Sequence, residues 1–203
     1  MKKNKISKNW INKQRRDIFV RQSKVEGYRS RAVYKLQEID EKFKIFKNGI
    51  SLIDLGAAPG SWSQYAAKKI KNGKILSIDL NEIKNIGNTF QLKGDFTESK
   101  YKSEIREYFG GKVDVVLSDM AVNTTGNKNL DSIYTGELCI DAMNFSKEIL
   151  CNNGKFISKI FMGSAFNEIV SQAKKIFKES KVFKPAASRK GSKESFIICK
   201  FLR

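Results

Sequence analysis

The sequence predicts one α/β domain built on a doubly wound, mostly parallel β-sheet with an antiparallel hairpin at its C-terminal edge. Three observations predict this fold. Strand-like apolar segments alternate with helical segments through the middle of the chain. Two late strand-like segments follow each other with no helix between them. Polar or glycine-rich residues follow the first four strand-like segments, as in sheets that bind a ligand at the carboxyl ends of their strands.

The individual elements follow from the spacing of apolar residues. A first helix is predicted from Ser30, which would cap it, because apolar residues recur at three- and four-residue steps between 32 and 43. Strands are predicted at 51–55, 74–80, 89–92, 113–118, 155–161, 181–184 and 195–202, and later helices near 61–71, 99–108, 135–151 and 164–178. A chain of 203 residues is long enough to bury one core between such helices and a sheet.

The composition excludes several kinds of site. The chain has no histidine, which excludes Ser-His and Cys-His catalytic pairs and histidine metal ligands. The spacing of Cys139, Cys151 and Cys199 matches no metal site, so we expect reduced thiols and no metal. No stretch approaches eighteen uninterrupted apolar residues, so we expect no membrane span. These features predict a cytoplasmic protein, and we expect a monomer.

The charge of the chain indicates a polyanionic partner. The formal net charge is +18 and the pI is near 9.8. Residues 1–31 contain eleven Lys or Arg against two acidic residues, and Trp10, Phe19 and Tyr28 are interleaved among them. Such a segment can neutralise phosphates and stack on bases, so we predict a basic RNA-binding segment at 1–31, followed by the α/β domain at 32–203. An organelle presequence and a solvated, disordered tail are the alternatives.

The turn after the first predicted strand, DLGAAPGSW at 54–62, indicates what kind of cofactor the domain binds. A dinucleotide turn needs three glycines, whereas this turn has only Gly56 and Gly60, and Pro59 lacks a backbone N–H. No Gly-Lys-Ser/Thr follows that would hold a triphosphate. The turn therefore favours a nucleoside without phosphate, pressed against the backbone between two glycines. A nicotinamide cofactor is the alternative.

Acidic residues at the strand ends narrow this ligand further. Asp79 ends the second predicted strand and could accept both ribose hydroxyls, while Asp95 and Phe96 could bond to and pack against an adenine. S-adenosyl-L-methionine fits, since it has a positive sulfonium and no phosphate. Alternatively, the glycines would only form a turn, Trp62 would belong to the core and Asp79 would cap a helix. The predicted cofactor-binding residues are Asp54, Gly56, Pro59, Gly60, Trp62, Asp79, Asp95, Phe96 and Asp119.

Six separated segments then resemble one family. They are EGYRSRAVYKL (26–36), DLGAAPGSWSQ (54–64), GDF (94–96), SDMAVN (118–123), GKFISKIF (154–161) and KPAASRKGSKESF (184–196). Their order and spacing resemble the FtsJ/RrmJ-type ribosomal RNA ribose 2′-O-methyltransferases, and among these the large-subunit (23S) methyltransferase E family, over roughly residues 9–203. The resemblance implies a Rossmann-like class I methyltransferase sheet. It also implies S-adenosyl-L-methionine-dependent 2′-O-methylation of a uridine ribose in 23S ribosomal RNA within the assembled 50S subunit.

The resemblance also implies a catalytic tetrad. Its Lys-Asp-Lys-Glu members fall on Lys35, Asp119, Lys159 and Glu194, each inside the matching segment. The chain departs from the family pattern at one neighbouring position, where Val122 stands in place of the usual Pro before Asn123.

The chemistry agrees with these roles. A ribose 2′-hydroxyl is a weak acid, so its attack on a sulfonium methyl needs a nearby base and an in-line approach. Lys159 lies among apolar residues in a predicted strand, and desolvation together with the nearby Lys35 would favour its neutral amine. The carboxylates of Asp119 and Glu194 would oppose that effect. We predict Lys159 as the general base. Taken singly, each residue has an alternative: Lys35 a solvated helix face, Asp119 a cap of the next segment, Lys159 a buried ion pair and Glu194 a surface charge.

The predicted RNA path follows the basic residues. Residues 1–31 and the loop residues Ser188, Arg189, Lys190 and Lys193 would flank the tetrad and bind phosphates. Two alternatives remain open at this point. One is a transfer RNA ribose methyltransferase, and the other is a ribosome-assembly RNA-binding factor that has lost the chemistry.

Overall fold

The computed structural model describes residues 17–122 and 127–203. These residues form a seven-stranded sheet and six helices. The helices are α1 (Ile18–Val25), α2 (Val33–Phe43), α3 (Ser61–Lys69), α4 (Ser99–Phe109), α5 (Lys128–Ile149) and α6 (Phe166–Ile176). The strands are β1 (Ser51–Leu55), β2 (Lys74–Asp79), β3 (Phe90–Lys93), β4 (Val113–Ser118), β5 (Leu150–Phe161), β6 (Phe177–Phe183) and β7 (Glu194–Leu202).

The strand order is β3-β2-β1-β4-β5-β7-β6. The first five strands of this order are parallel, whereas β7 is antiparallel to both β5 and β6. The predicted doubly wound sheet with a C-terminal edge hairpin is therefore confirmed. The chain winds from β1 toward β3 on one side and from β4 onward on the other. Ligands bind such sheets beside the strand pair where the winding reverses, which here is β1 and β4.

Helices cover both faces of the sheet because side chains alternate between the faces along each strand. On β4, Val116 packs with the α4, α5 and α6 side, while its neighbours Val115 and Leu117 pack with the α2 and α3 side. On β5, Phe156 and Ile160 belong to the first core, and Ile157 belongs to the second. This alternation fixes which strand residues face α2.

The main differences from the predicted element boundaries lie at the starts of four elements. Helix α2 begins at Val33, and Ser30 is not its cap; the Ser30 hydroxyl accepts from Ala32 N instead and lies 2.8 Å from Ser61 Oγ. Helix α5 begins seven residues early, at Lys128, since Asn127 caps it. Strand β5 begins at Leu150 rather than 155. Strand β6 begins at Phe177 rather than 181, because it is an edge strand whose mostly exposed residues lack an apolar pattern.

A short helix, α1, was not predicted. The carboxylate of Asp17 accepts a hydrogen bond from Phe19 N at 3.1 Å and caps it. Within 17–122 and 127–203, no helix is long and apolar enough to cross a membrane. The three cysteines are free thiols.

Candidate active site

Two adjoining cavities open at the carboxyl ends of β1, β2 and β4. The larger has a volume of about 650 Å³, and the smaller about 230 Å³. Both are bordered by Gly56, Ala58 and Asp119. The predicted cofactor residues at the larger cavity are Gly56, Asp79, Asp95, Phe96 and Asp119, and those at the smaller are Asp54, Gly56, Pro59, Trp62 and Asp119. Gly60 borders neither.

The lining of these cavities is acidic although the chain is strongly basic. Asp79, Asp95, Asp119 and Asp141 border the larger cavity. Among the described lining residues of the two cavities there is no Lys or Arg. Such a lining favours a cationic ligand over a phosphate-bearing one.

The turn after β1 has little room for side chains. Gly56 has a φ of 68°, and its N–H donates to the carbonyl of Ile78 at 2.8 Å. A Cβ at this position would lie 2.0 Å from Met120 Cγ. Gly60 has a φ of 104°, and a Cβ there would lie 2.7 Å from Arg29 Nη1. The positive φ favours glycine at both positions, and at Gly56 the close approach of Met120 also leaves no room for a side chain.

The carboxylate of Asp79 organises the rim of the larger cavity. It accepts from Ala58 N at 2.9 Å and from Asn81 N at 2.7 Å. It therefore ties the turn after β1 to the end of β2, and it caps a loop rather than a helix. After the neighbouring strand β3, Asp95 borders the same cavity and accepts from the amide of Thr97 at 2.9 Å and from its hydroxyl at 2.7 Å.

Two of the predicted aromatic contacts are mainly core residues. Trp62 is 2% exposed, packs against Phe196 at a centroid distance of 5.7 Å and donates its indole N–H to Ala32 O at 2.8 Å. Phe96 is 6% exposed and packs against Phe145 at 5.9 Å. Both border a cavity, but most of each ring lies in the core.

Asp54, at the end of β1, is a buried carboxylate whose ionisation is disfavoured. Burial raises its pKa to about 7, the charges of Asp119 and Asp79 act in the same direction, and the hydrogen bond from Ser63 opposes them. Ser63 Oγ donates to Asp54 Oδ2 at 2.6 Å and lies 2.7 Å from Ser77 Oγ. This carboxylate can therefore change its charge near neutral pH.

The four predicted tetrad residues come together although they lie on four separate segments. Lys159 Nζ lies 3.0 Å from Asp119 Oδ1 and donates to Asp119 O at 2.6 Å. Lys35 Nζ lies 2.8 Å from Glu194 Oε2 and 3.8 Å from Asp119 Oδ2. Asp119 thus lies between two lysines, and it also borders both cavities.

Strand register explains this convergence. Lys159 on β5 pairs with Phe196 on β7, and Phe161 pairs with Glu194. Glu194 and Phe196 are two residues apart and so face the same side of the sheet, the side on which Ile157 and Lys159 face α2. Lys35 is on α2, and Asp119 directly follows β4, which is adjacent to β5.

The charges within the tetrad stabilise one another. Burial acts to raise the pKa of Asp119, but Lys159 and Lys35 outweigh it and hold that pKa below its usual range. Burial acts to lower the pKa of Lys35, but Asp119 and Glu194 outweigh it and raise that pKa above its usual value. Both groups are therefore charged near neutral pH.

Several residues expected to bind phosphate instead contact the protein. Ser188 is 5% exposed and donates to Glu194 Oε1 at 2.8 Å. Asp17 accepts from Arg31 at 2.6 Å and from Arg189 at 3.4 Å. Arg31 also donates to Ala187 O. Lys190 and Lys193 are exposed. Sequence reasoning missed these intramolecular roles, because a basic residue's partner is invisible without the fold.

Several expectations lie outside the described residues. They concern residues 1–16, which include Trp10 and most of the basic segment, and Asn123. In the part of the chain that is described, there is no group of three or more His, Cys, Asp or Glu that could hold a metal ion. A further cavity of about 640 Å³ lies at the opposite end of β5, near Lys112, Lys147, Lys175 and Arg203, and contains none of the predicted site residues.

Comparisons with known proteins show the family of this chain. The family model of the FtsJ-like methyltransferases matches residues 28–202. A protein from Pelagibacter ubique named Ribosomal RNA large subunit methyltransferase E is 68% identical over 203 residues, covering 100% of both chains. A protein of the same name from Rickettsia akari is 47% identical over 198 residues, covering 95% of this chain and 87% of the relative.

Solved structures show the same fold. A chain from Plasmodium falciparum, provisionally named a ribosomal RNA methyltransferase, has a TM-score of 0.79 and 31% identity, covering 86% of this chain and 98% of that one. A provisionally named methyltransferase from Streptococcus mutans in complex with SAH has a TM-score of 0.55 and 12% identity, covering 82% and 97%. At 12% identity, the similarity to the Streptococcus mutans structure shows only the Rossmann-like fold. The predicted resemblance is confirmed, and the chain is a methyltransferase that belongs to the FtsJ-like methyltransferase family.

Proposed function

We propose that this protein transfers the methyl group of S-adenosyl-L-methionine to the 2′-oxygen of a uridine ribose in 23S ribosomal RNA within the assembled 50S subunit. The observation that carries this proposal is the contact between Lys159 and Asp119 at the edge of an acidic cleft. The relatives named Ribosomal RNA large subunit methyltransferase E support ribosomal RNA as the substrate. The uridine, the 2′-oxygen and the 50S particle rest on the family resemblance.

The cleft suits the proposed donor. Bound S-adenosyl-L-methionine would supply an electrophilic methyl carbon on a positively charged sulfur. Asp79 would accept from its ribose, Asp95 and Phe96 would contact its adenine, and Asp54 and Asp119 would complement its positive charge. The Gly56 turn would let the donor approach the backbone, with Pro59, Gly60 and Trp62 shaping that turn. The absence of Lys and Arg among the described lining residues argues against a dinucleotide or triphosphate.

The tetrad would handle the proton. Lys159, in its neutral form, would accept the proton of the attacking 2′-hydroxyl. Asp119 would orient that amine through two contacts and would stabilise the ammonium that forms. Lys35 and Glu194 would hold Asp119 in place and balance its charge. The bond between the ribose oxygen and the methyl carbon would form while the bond between sulfur and that carbon breaks. Because this is a single displacement, it needs no covalent enzyme intermediate.

The basic surface would bind the RNA. Lys190 and Lys193 are exposed a few residues from Glu194. We propose that residues 1–31 form the RNA-binding segment and 32–203 the catalytic domain. The two parts differ in proposed function but are not structurally separate. The ion pairs of Asp17 with Arg31 and Arg189 connect the start of α1 to the later part of the chain. We further propose that the protein acts as a monomer in the cytoplasm.

The substrate can be tested by offering the protein unmodified 50S subunits, free 23S RNA and transfer RNA with radiolabelled S-adenosyl-L-methionine. We expect label to enter the 50S subunits, and nuclease digestion to release it as 2′-O-methyluridine. If label enters only transfer RNA, the substrate is transfer RNA and not ribosomal RNA. If the label is found on a base, methylation of the ribose is excluded. Binding of 50S subunits with no transfer to any RNA would favour a non-catalytic assembly factor.

A further inference from the structure

The guanidinium of Arg29 joins two loops beside the candidate donor cleft. Its Nη1 donates to the carbonyl of Pro59 at 3.0 Å and to that of Lys84 at 2.8 Å. Its Nη2 donates to the carbonyl of Asn85 at 2.8 Å. Arg29 therefore bonds the turn after β1 and the loop between β2 and β3 at the same time.

The position requires an arginine rather than any cation. Three carbonyl oxygens from two loops accept from two nitrogens of one planar group, whereas a lysine ammonium would have to donate to all three from a single nitrogen. No ion pair involves Arg29 among the described residues, so its charge is stabilised here by carbonyl dipoles. Gly60 provides the space, since a Cβ there would lie 2.7 Å from Arg29 Nη1.

The segment that carries Arg29 is itself fixed. The backbone N–H of Arg29 donates to Gln64 Oε1 on α3 at 2.9 Å. Gln64 Nε2 donates back to the carbonyl of Gly27 at 3.3 Å. The backbone that carries the guanidinium is thus held by α3, which packs on the sheet.

The second loop shapes the rim of the cleft. Residues 80–89 contain no helix or strand, and Leu80 and Asn81 border the larger cavity. Besides Arg29, this loop is anchored by a small apolar cluster in which Ile83 and Ile86 pack with Ala57. Because such a loop has few backbone bonds of its own, contacts with its neighbours decide its conformation.

We propose that Arg29 is a positioning residue for the methyl donor: it holds the Gly56–Gly60 turn and the 80–89 loop at the spacing that the donor requires. The proposal rests on the proposed function for the identity of that donor. The guanidinium bonds of Arg29 go to backbone carbonyls and reach neither the tetrad nor a side chain that lines a cavity. Arg29 therefore acts on donor binding rather than on proton transfer.

The test compares the full-length wild type with Arg29→Lys, Arg29→Gln and the control Arg106→Gln. Arg106 is also bonded within the protein, to Glu148 at 2.6 Å, but on the surface of α4. Titration calorimetry measures S-adenosyl-L-methionine binding without RNA. Hydrogen exchange of residues 80–89 is measured on donor-free protein. We expect both Arg29 variants to bind about tenfold more weakly, the scale of one lost charge-assisted hydrogen bond. Hydrogen exchange of residues 80–89 should become faster in both Arg29 variants and stay at the wild-type rate in Arg106→Gln.

Wild-type donor affinity in folded Arg29 variants would overturn the proposal, as would faster loop exchange with unchanged affinity. An equal loss in Arg106→Gln would also overturn it. If Arg29→Gln does not fold, Arg29→Lys decides, since it keeps the charge and the aliphatic stem. If the wild type binds no donor, the proposed function fails, while the exchange data still show whether Arg29 holds the loop.

Discussion

Lys159 contacts Asp119 twice, with Nζ 3.0 Å from the carboxylate oxygen Oδ1 and 2.6 Å from the carbonyl oxygen. The two acceptors fix the direction of the amine at the point where β4 ends and the cleft begins. Lys35 lies on the other side of the same carboxylate, 3.8 Å from Oδ2. Asp119 therefore links the proposed base to the rest of the tetrad.

Replacing Asp119 by Asn should lower stability at neutral pH. The two lysines lower the pKa of Asp119 in the folded protein. The ionised carboxylate therefore stabilises the fold at pH values above the ordinary aspartate pKa, which is about 4. We expect Asp119→Asn to cost on the order of 2 kcal/mol at pH 7, and this difference should shrink as pH falls through the folded pKa. Urea unfolding of both proteins at several pH values measures it. A difference that grows on acidification would contradict the assignment.

Asp54 should have the opposite effect on the pH dependence. Its folded pKa of about 7 lies above the unfolded value, so between about pH 4 and 7 the native state binds more protons than the unfolded state. This group should therefore lower stability by up to about 1.4 kcal/mol per pH unit as pH rises through that window. Asp54→Asn should remove that part of the slope. Parallel curves of unfolding free energy against pH for the two proteins would show that Asp54 does not titrate there.

Gly56→Ala should both destabilise the protein and narrow the cleft. The new Cβ would lie 2.0 Å from Met120 Cγ, at a φ of 68° that disfavours a side chain. We expect a loss of roughly 1–3 kcal/mol and weaker donor binding, with partial recovery in Gly56→Ala/Met120→Ala. Gly111→Ala is the control, because nothing lies within 4 Å of its Cβ position. Thermal unfolding measures the stability and titration calorimetry measures donor binding. Equal stability of Gly56→Ala and Gly111→Ala would refute the steric argument.

The exposed lysines beside Glu194 should contribute to RNA binding. Each phosphate contact that is lost should reduce the slope of log affinity against log salt by about one. We expect Lys190→Ala/Lys193→Ala to weaken binding to 50S subunits and flatten that slope by about two. The control is Lys147→Ala/Lys175→Ala at the opposite end of the sheet. If filter binding shows the same change in both double variants, the proposed RNA path is wrong.

The sheet was predictable because its central strands are buried on both faces and so have continuous apolar sequences. Strand β6 was predicted too short because an edge strand with exposed residues has no such pattern. Helix α5 was predicted too short because its first turn is polar. Lys159 was identifiable as a candidate site residue, since a lysine in an apolar strand is unusual.

The contacts of the basic residues were not predictable. Arg29 and Arg31 were counted with the RNA-binding cations, yet one bonds to carbonyls of two loops and the other pairs with Asp17. Such partners are distant in sequence, and an arginine looks the same in sequence whether it binds RNA or its own backbone. Gly60 was assigned to the cofactor for the same reason, although its closest neighbours are Arg29 and Ile86.

The central claim is that Lys159 accepts the proton of the ribose hydroxyl. Its most direct test is the single-turnover rate of methyl transfer to unmodified 50S subunits at saturating donor, for wild type, Lys159→Ala and the same-strand control Lys155→Ala. We expect Lys159→Ala to be at least about 100-fold slower, with donor affinity within about twofold of wild type, and Lys155→Ala to retain the wild-type rate. A wild-type rate in Lys159→Ala would contradict the claim.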